Sequence, residues 1–215
     1  PHEDRLVPAV RPRHGRPRPD HPPGDPERGA DVPASAGGGG EADAEGNFAF
    51  DTLSPGTYTL HAALRGKYIR VVTGSRTGET PASSRRVAVP GEEPVIWTDP
   101  VSEAARDAYF HANVAHDEVR ARDDGPALDP LDRPVDLVID VPIGSLNRCN
   151  AWWDGEALGF HQASTWCPSF ARIAGVVYHE YGHAVVQFLT SPFTPPDYLN
   201  EGWSDYFAAA IMNDP

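Results

Sequence analysis

The sequence predicts an α+β protein: a mixed sheet carrying helices, preceded by a smaller β-rich segment. Three observations point there. Between residues 47 and 72 apolar and polar residues alternate, the period of half-buried strands. In residues 102–120 and 169–190 apolar residues recur three and four apart, the period of a helix covered on one face. Between those helices lie two apolar segments too short to be helical, one of them turning at Asp154-Gly155, a hairpin dipeptide.

The 215 residues suffice for one large domain or two small ones, and a hydrophobic content of 40% suffices for an ordinary core. The net charge is −13, and residues 1–40 hold six Arg against six Asp/Glu, so the excess negative charge falls in residues 41–215. Such a surface repels a phosphate backbone or an anionic bilayer, and neither is an expected partner. No apolar run approaches the roughly 20 residues of a membrane span. The chain opens at Pro1 without an initiator Met or an apolar leader and stops at Pro215, so it reads as a piece of a longer protein.

Residues 1–40 contain nine Pro and seven Gly and almost no aromatic residue, which predicts disorder. Alternation then begins at Phe48 and Phe50, continues through Tyr58 and Leu60, and reaches Tyr68, Ile69 and Val71, with turns at Ser54-Pro55-Gly56 and at Gly66. The stretch from Gly46 through Asp51-Thr52-Leu53 to Leu60 resembles small β-sandwich modules of the carboxypeptidase-regulatory type. That resemblance implies a partial module over residues 41–98, suited to packing or attachment, ahead of a second domain over residues 99–215.

In that second domain Ser102 is placed to cap the helix of residues 102–120. His111 and His116 lie on it, but five residues of helix set them about 140° apart, so packing is expected rather than a shared metal. Asp123, Asp124, Asp129 and Asp132 follow without the spacing of a calcium loop and read as a solvated acidic turn. The β-branched run 135–141, ended by Pro142, reads as a buried strand. Cys149 and Cys167 bracket the hairpin of residues 151–161. They either form a disulfide, which implies an oxidising compartment, or are two separate buried thiols.

The chemistry concentrates in His179-Glu180-Tyr181-Gly182-His183, inside the helix of residues 169–190. One helical turn separates the two histidines, so both imidazoles project from one face and can reach a single Zn²⁺ ion. Glu180 sits beside that face, where it can approach a zinc-bound water without being a ligand. A His-Glu-x-x-His pattern arises by chance in about 2% of chains of this composition. A catalytic zinc needs a third protein ligand. Glu201 supplies it from a second helix expected to start near Asn200, after Pro192, Pro195 and Pro196 have ended the first. Asp205, one turn beyond Glu201, is placed to take the N–H of a liganding imidazole. Gly182 within a helix signals close packing.

His179-Glu-Tyr-Gly-His183 followed by Asn200-Glu-Gly-Trp-Ser-Asp205 resembles the glutamate-ligand zinc peptidases, or gluzincins, of the fungalysin-like and thermolysin-like kind. Cys149-Asn-Ala-Trp-Trp-Asp-Gly155 is similar to the Asn-Ala-aromatic edge strand of those enzymes. The likeness covers about residues 102–212. It implies a zincin-type catalytic subdomain, secretion, a peptide groove lined by Asn150 and Ala151, and an oxyanion donor for which Tyr198 is the nearest residue. It also implies a C-terminal helical subdomain with a further catalytic histidine, which this sequence does not reach. The expected activity is that of a zinc metalloendopeptidase, with Glu180 as general base, although Leu199-Asn200-Glu201-Gly202 also occurs in zinc aminopeptidases. The competing expectation is a non-catalytic, zinc-stabilised or attachment module of a larger extracellular protein.

Overall fold

Strand β1 (Gly56–Ala63) pairs antiparallel with β3 (Ala82–Val89), Leu60 opposite Arg85, as a two-stranded sheet. The strand between them, β2 (Ile69–Thr73), leaves that pair and joins a four-stranded sheet in the order β2-β4-β6-β5. There β4 (Val135–Val141) runs parallel to β2 and to β6 (Ala157–His161), while β5 (Ala151–Trp153) forms an antiparallel edge on β6. Three helices, α1 (Glu103–Arg120), α2 (Ala174–Thr190) and α3 (Asp197–Met212), complete a mixed α+β architecture. The computed structural model describes residues 54–89, 102–143 and 149–212, with Ala42 and Phe48. The disorder expected for residues 1–40 and the strand residue Phe50 lie outside them.

The sheet positions the helices through one face. Ile69 and Val71 of β2, Leu137 and Ile139 of β4, and Leu158 and Phe160 of β6 are fully buried at two-residue spacing in a single cluster. From α1 that cluster takes Ala105, Ala108, Ala112 and Ala115, small residues that let the helix lie close, and from α2 it takes Val177, Tyr181 and Ala184. Burying each of the larger side chains contributes about 1.5–3 kcal/mol. Val72, Val138 and Ala157 point the other way and form a small separate cluster, so β2 is covered on both faces. That continuous burial suits a parallel strand, and the run Tyr68-Ile69-Arg70-Val71-Val72 carries it. The sheet therefore crosses the boundary expected at residues 98 and 99. Arg70 and Asp136, opposite one another, close the pair with two hydrogen bonds of 2.7 Å.

The expected caps and turns hold the elements in place. The Ser102 hydroxyl accepts from the Ala105 N–H at 3.1 Å at the start of α1. The turn between β5 and β6 sits at Asp154-Gly155, with Gly155 at φ +98°. The Asp154 carboxylate accepts from the N–H groups of Glu156 and Ala157. Cys149 and Cys167 form a disulfide, Cα–Cα 6.1 Å, joining the approach to β5 to the loop after β6. A disulfide fits oxidising surroundings. Among the described residues no helix is long and apolar enough to cross a membrane. Helix α3 begins at Asp197, three residues earlier than the sequence suggests, because Pro196 is tolerated just ahead of a first turn and its carbonyl accepts from Leu199 and Asn200.

Helices α2 and α3 meet at Gly182. A Cβ there would stand 3.0 Å from the Ser204 Cα and 3.2 Å from a ring carbon of Phe207. Helix propensity alone makes Gly182→Ala stabilising by about 1 kcal/mol. The crossing reverses that sign: the variant is expected to lose about 1–3 kcal/mol, read as a lower urea midpoint at unchanged m-value. A raised midpoint would show that the crossing has slack.

Candidate metal centre

Four residues of α3 face α2 on one stripe, Asn200, Glu201, Ser204 and Asp205, and each is engaged with the His179–His183 pair. The His179 Nδ1–H donates to Asp205 Oδ1 at 2.8 Å. The His183 Nδ1–H faces two acceptors, Asn200 Oδ1 and Ser204 Oγ, both at 3.0 Å. Ser204 in turn donates its hydroxyl proton to the Asn200 carbonyl at 2.9 Å, which leaves its oxygen free to accept. With both protons held on Nδ1, the two Nε2 atoms keep their lone pairs.

Those lone pairs converge. The Nε2 atoms lie 3.0 Å apart, and Glu201 Oε2 stands 3.1 Å from that of His179 and 3.6 Å from that of His183. Three ligands at about 2.0–2.1 Å from one tetrahedral ion stand about 3.3 Å from each other, which is the triangle these atoms make. The residues therefore fit a divalent ion, and the set His179, His183 and Glu201 could hold one. His183 is buried, while Glu201 is 60% exposed, so the triangle opens toward solvent on the α3 side.

Glu180 is buried beside this triangle. Burial pushes its carboxyl up to about 7; His179 opposes the shift, Glu201 adds to it, and a hydrogen bond from the Trp153 backbone N–H opposes it. The edge strand thus reaches the residue next to the metal-facing histidine. Beside His183 a cavity of about 230 Å³ opens between β5, the last turns of α2 and the following loop. Trp153, Val186, Pro192, Phe193 and Asn200 line it, and no Asp, Glu, Lys or Arg is among its lining residues.

Of the residues singled out in the sequence, His179, Glu180, His183, Glu201 and Asp205 are brought together. Ala151 opens β5 opposite Phe160, and the Asn150 carbonyl accepts from the His161 N–H at 3.1 Å, its side chain exposed. Tyr198 lies in the first turn of α3, 74% exposed, and no hydrogen bond described joins it to the triangle. His111 and His116 pack away from the site. His111 Nδ1 meets the Tyr178 hydroxyl at 2.8 Å, and His116 stacks on Tyr68 between Asp117 and Asp132. Asp129 and Asp132 bind Arg120. Sequence reasoning missed Asn200 and Ser204 as holders of His183, although their spacing of four repeats that of Glu201 and Asp205.

No model of a known family matches the chain, and no curated protein matches it.

Two measurements check the site. Elemental analysis of wild type should find about one divalent metal ion per chain, and His183→Ala and Glu201→Ala should each lose it; retention in both would remove the triangle as the binding site. The second concerns the metal-free protein. A carboxyl raised from 4.5 to about 7 binds its proton more tightly folded than unfolded, so its contribution is fully present below pH 4.5 and is lost as pH rises through 7. Glu180→Gln removes that loss, and the gap between variant and wild type should widen in the variant's favour by roughly 2 kcal/mol from pH 5 to pH 8. Parallel pH profiles would show that the carboxyl is not desolvated.

Proposed function

We propose that this chain carries the metal-binding and proton-transfer residues of a zinc-dependent peptidase of gluzincin type, in a zincin-type catalytic subdomain. The observation that carries the reading is the arrangement of four side chains: His179, His183 and Glu201 with converging lone pairs, and a buried Glu180 beside them poised near neutrality. A structural zinc is closed by four protein ligands, whereas three ligands and an adjacent base suit catalysis. Bound there, the ion supplies a Lewis acid for a carbonyl and a more acidic water.

The chain's own residues divide the remaining work. Asp205, Asn200 and Ser204 hold the imidazoles in one tautomer and one orientation. Glu180 takes a proton from the attacking water and returns it to the departing amine. Strand β5 is an edge, so its outer backbone groups can pair with an extended peptide, Asn150 and Ala151 lying at its start. The uncharged cavity beside His183 favours an uncharged side chain next to the bond that is cut. The disulfide agrees with secretion, which belongs to the same reading.

The deciding experiment is casein hydrolysis with and without a chelator, on the full-length protein that carries this chain, as wild type and as Glu180→Gln. Wild type should clear casein only with metal present, and Glu180→Gln should keep its zinc while losing about 10²–10⁴-fold in kcat. A zinc-loaded Glu180→Gln as active as wild type would overturn the role of that carboxyl.

A further inference from the structure

Strand β5 is three residues long and, among the described residues, bonded on one side only, yet it packs against α2, the helix that carries Glu180. A strand so short has little in its own ladder to fix its distance from α2. The fixing comes from Gln187. It stands one turn beyond His183, so residues 179, 183 and 187 share one face of α2. Its Oε1 accepts from the Trp153 indole Nε1–H at 2.8 Å, and its Nε2 donates to the Gly155 carbonyl at 3.3 Å. One planar amide therefore ties both the last residue of β5 and the turn that follows it to the helix carrying the metal-facing histidines. Glutamine and asparagine alone offer an acceptor and a donor on one such group, and the shorter asparagine lacks a methylene of reach. Glutamate would keep the indole bond and set a carboxylate against the Gly155 carbonyl. From the opposite side Arg76 pairs with Asp154 and Glu156, so the turn is held at two points. The Trp153 ring is further seated edge-on against Phe188, centroids 6.4 Å apart.

We propose that Gln187 is a positioning residue for peptide hydrolysis: its amide sets the distance of β5 from α2, and with it the placement of Glu180 against a peptide bound along that edge. The role rests on the peptidase reading above. Gln187 touches none of the three ligand atoms, so it acts on turnover and leaves metal binding alone.

Gln187→Met keeps the length and removes both hydrogen bonds; Gln187→Glu keeps the acceptor only. On the full chain, zinc content, kcat and KM for a casein-derived peptide, and the Trp153 indole N–H resonance are measured for wild type and both variants. The expected result is about one zinc per chain throughout, an indole resonance displaced in Gln187→Met and near native in Gln187→Glu, and kcat lowered roughly 10- to 100-fold in Gln187→Met with KM changed less, the scale of a misplaced reacting group. Native kcat with a displaced indole resonance would overturn the positioning role while leaving the peptidase reading intact, as would loss of zinc together with activity, which marks a merely structural residue. Zinc-loaded wild type that cuts no peptide would overturn the peptidase reading and the role built on it together.

Discussion

Everything at the metal centre depends on how near α3 comes to α2. The ligand triangle draws two corners from one helix and the third from the other, and an error of an ångström in their separation would move Glu201 Oε2 out of reach of a shared ion. The approach is set where Gly182 meets Ser204, one residue before His183 and three after Glu201. Ser204 serves twice there: its backbone fills the space that a side chain at 182 would need, and its hydroxyl receives the His183 proton. Close packing and imidazole orientation are one contact. That coupling explains why a residue with poor helix propensity sits in the middle of the helix that carries His179 and His183.

The sheet supplies the second constraint. Because α1 and α2 lie on the same face of β2-β4-β6, α2 is backed by Leu158 and Phe160, and the side that carries His179 and His183 is turned to α3. The β5 edge then comes close enough for its Trp153 N–H to meet Glu180, with the buried carboxyl paying in desolvation for being close. Burial of a carboxyl near a metal site is tolerable because a divalent cation would offset the charge that water no longer screens.

Local signals were the legible ones. The Ser102 cap, the buried strand at residues 135–141 and the Asp154-Gly155 turn each follow from residue types within a few positions of one another. The histidine pair and Asp205 were legible because helical spacing fixes which side chains share a face. What stayed hidden depends on tertiary pairing. Nothing local says that residues 69–73 bypass the strand before them to pair with residues 135–139, since parallel partners are chosen across an intervening helix. Asn200 and Ser204 were invisible for a related reason: an amide and a hydroxyl are common on helix surfaces, and only the placement of α3 turns these two toward an imidazole. The start of α3 was misplaced by three residues because proline was read as a terminator, when its fixed φ also suits a position just ahead of a helix.

The membership of β2 in the larger sheet bears on how this polypeptide can be divided. A chain cut at the compositional boundary, beginning at residue 99, would leave β4 with a bare lateral edge of unsatisfied amides flanked by Leu137, Val138 and Ile139. Such an edge is a template for intermolecular strand addition. Residues 69–73 cover that edge, and a polypeptide that lacks them would offer it to other copies of itself.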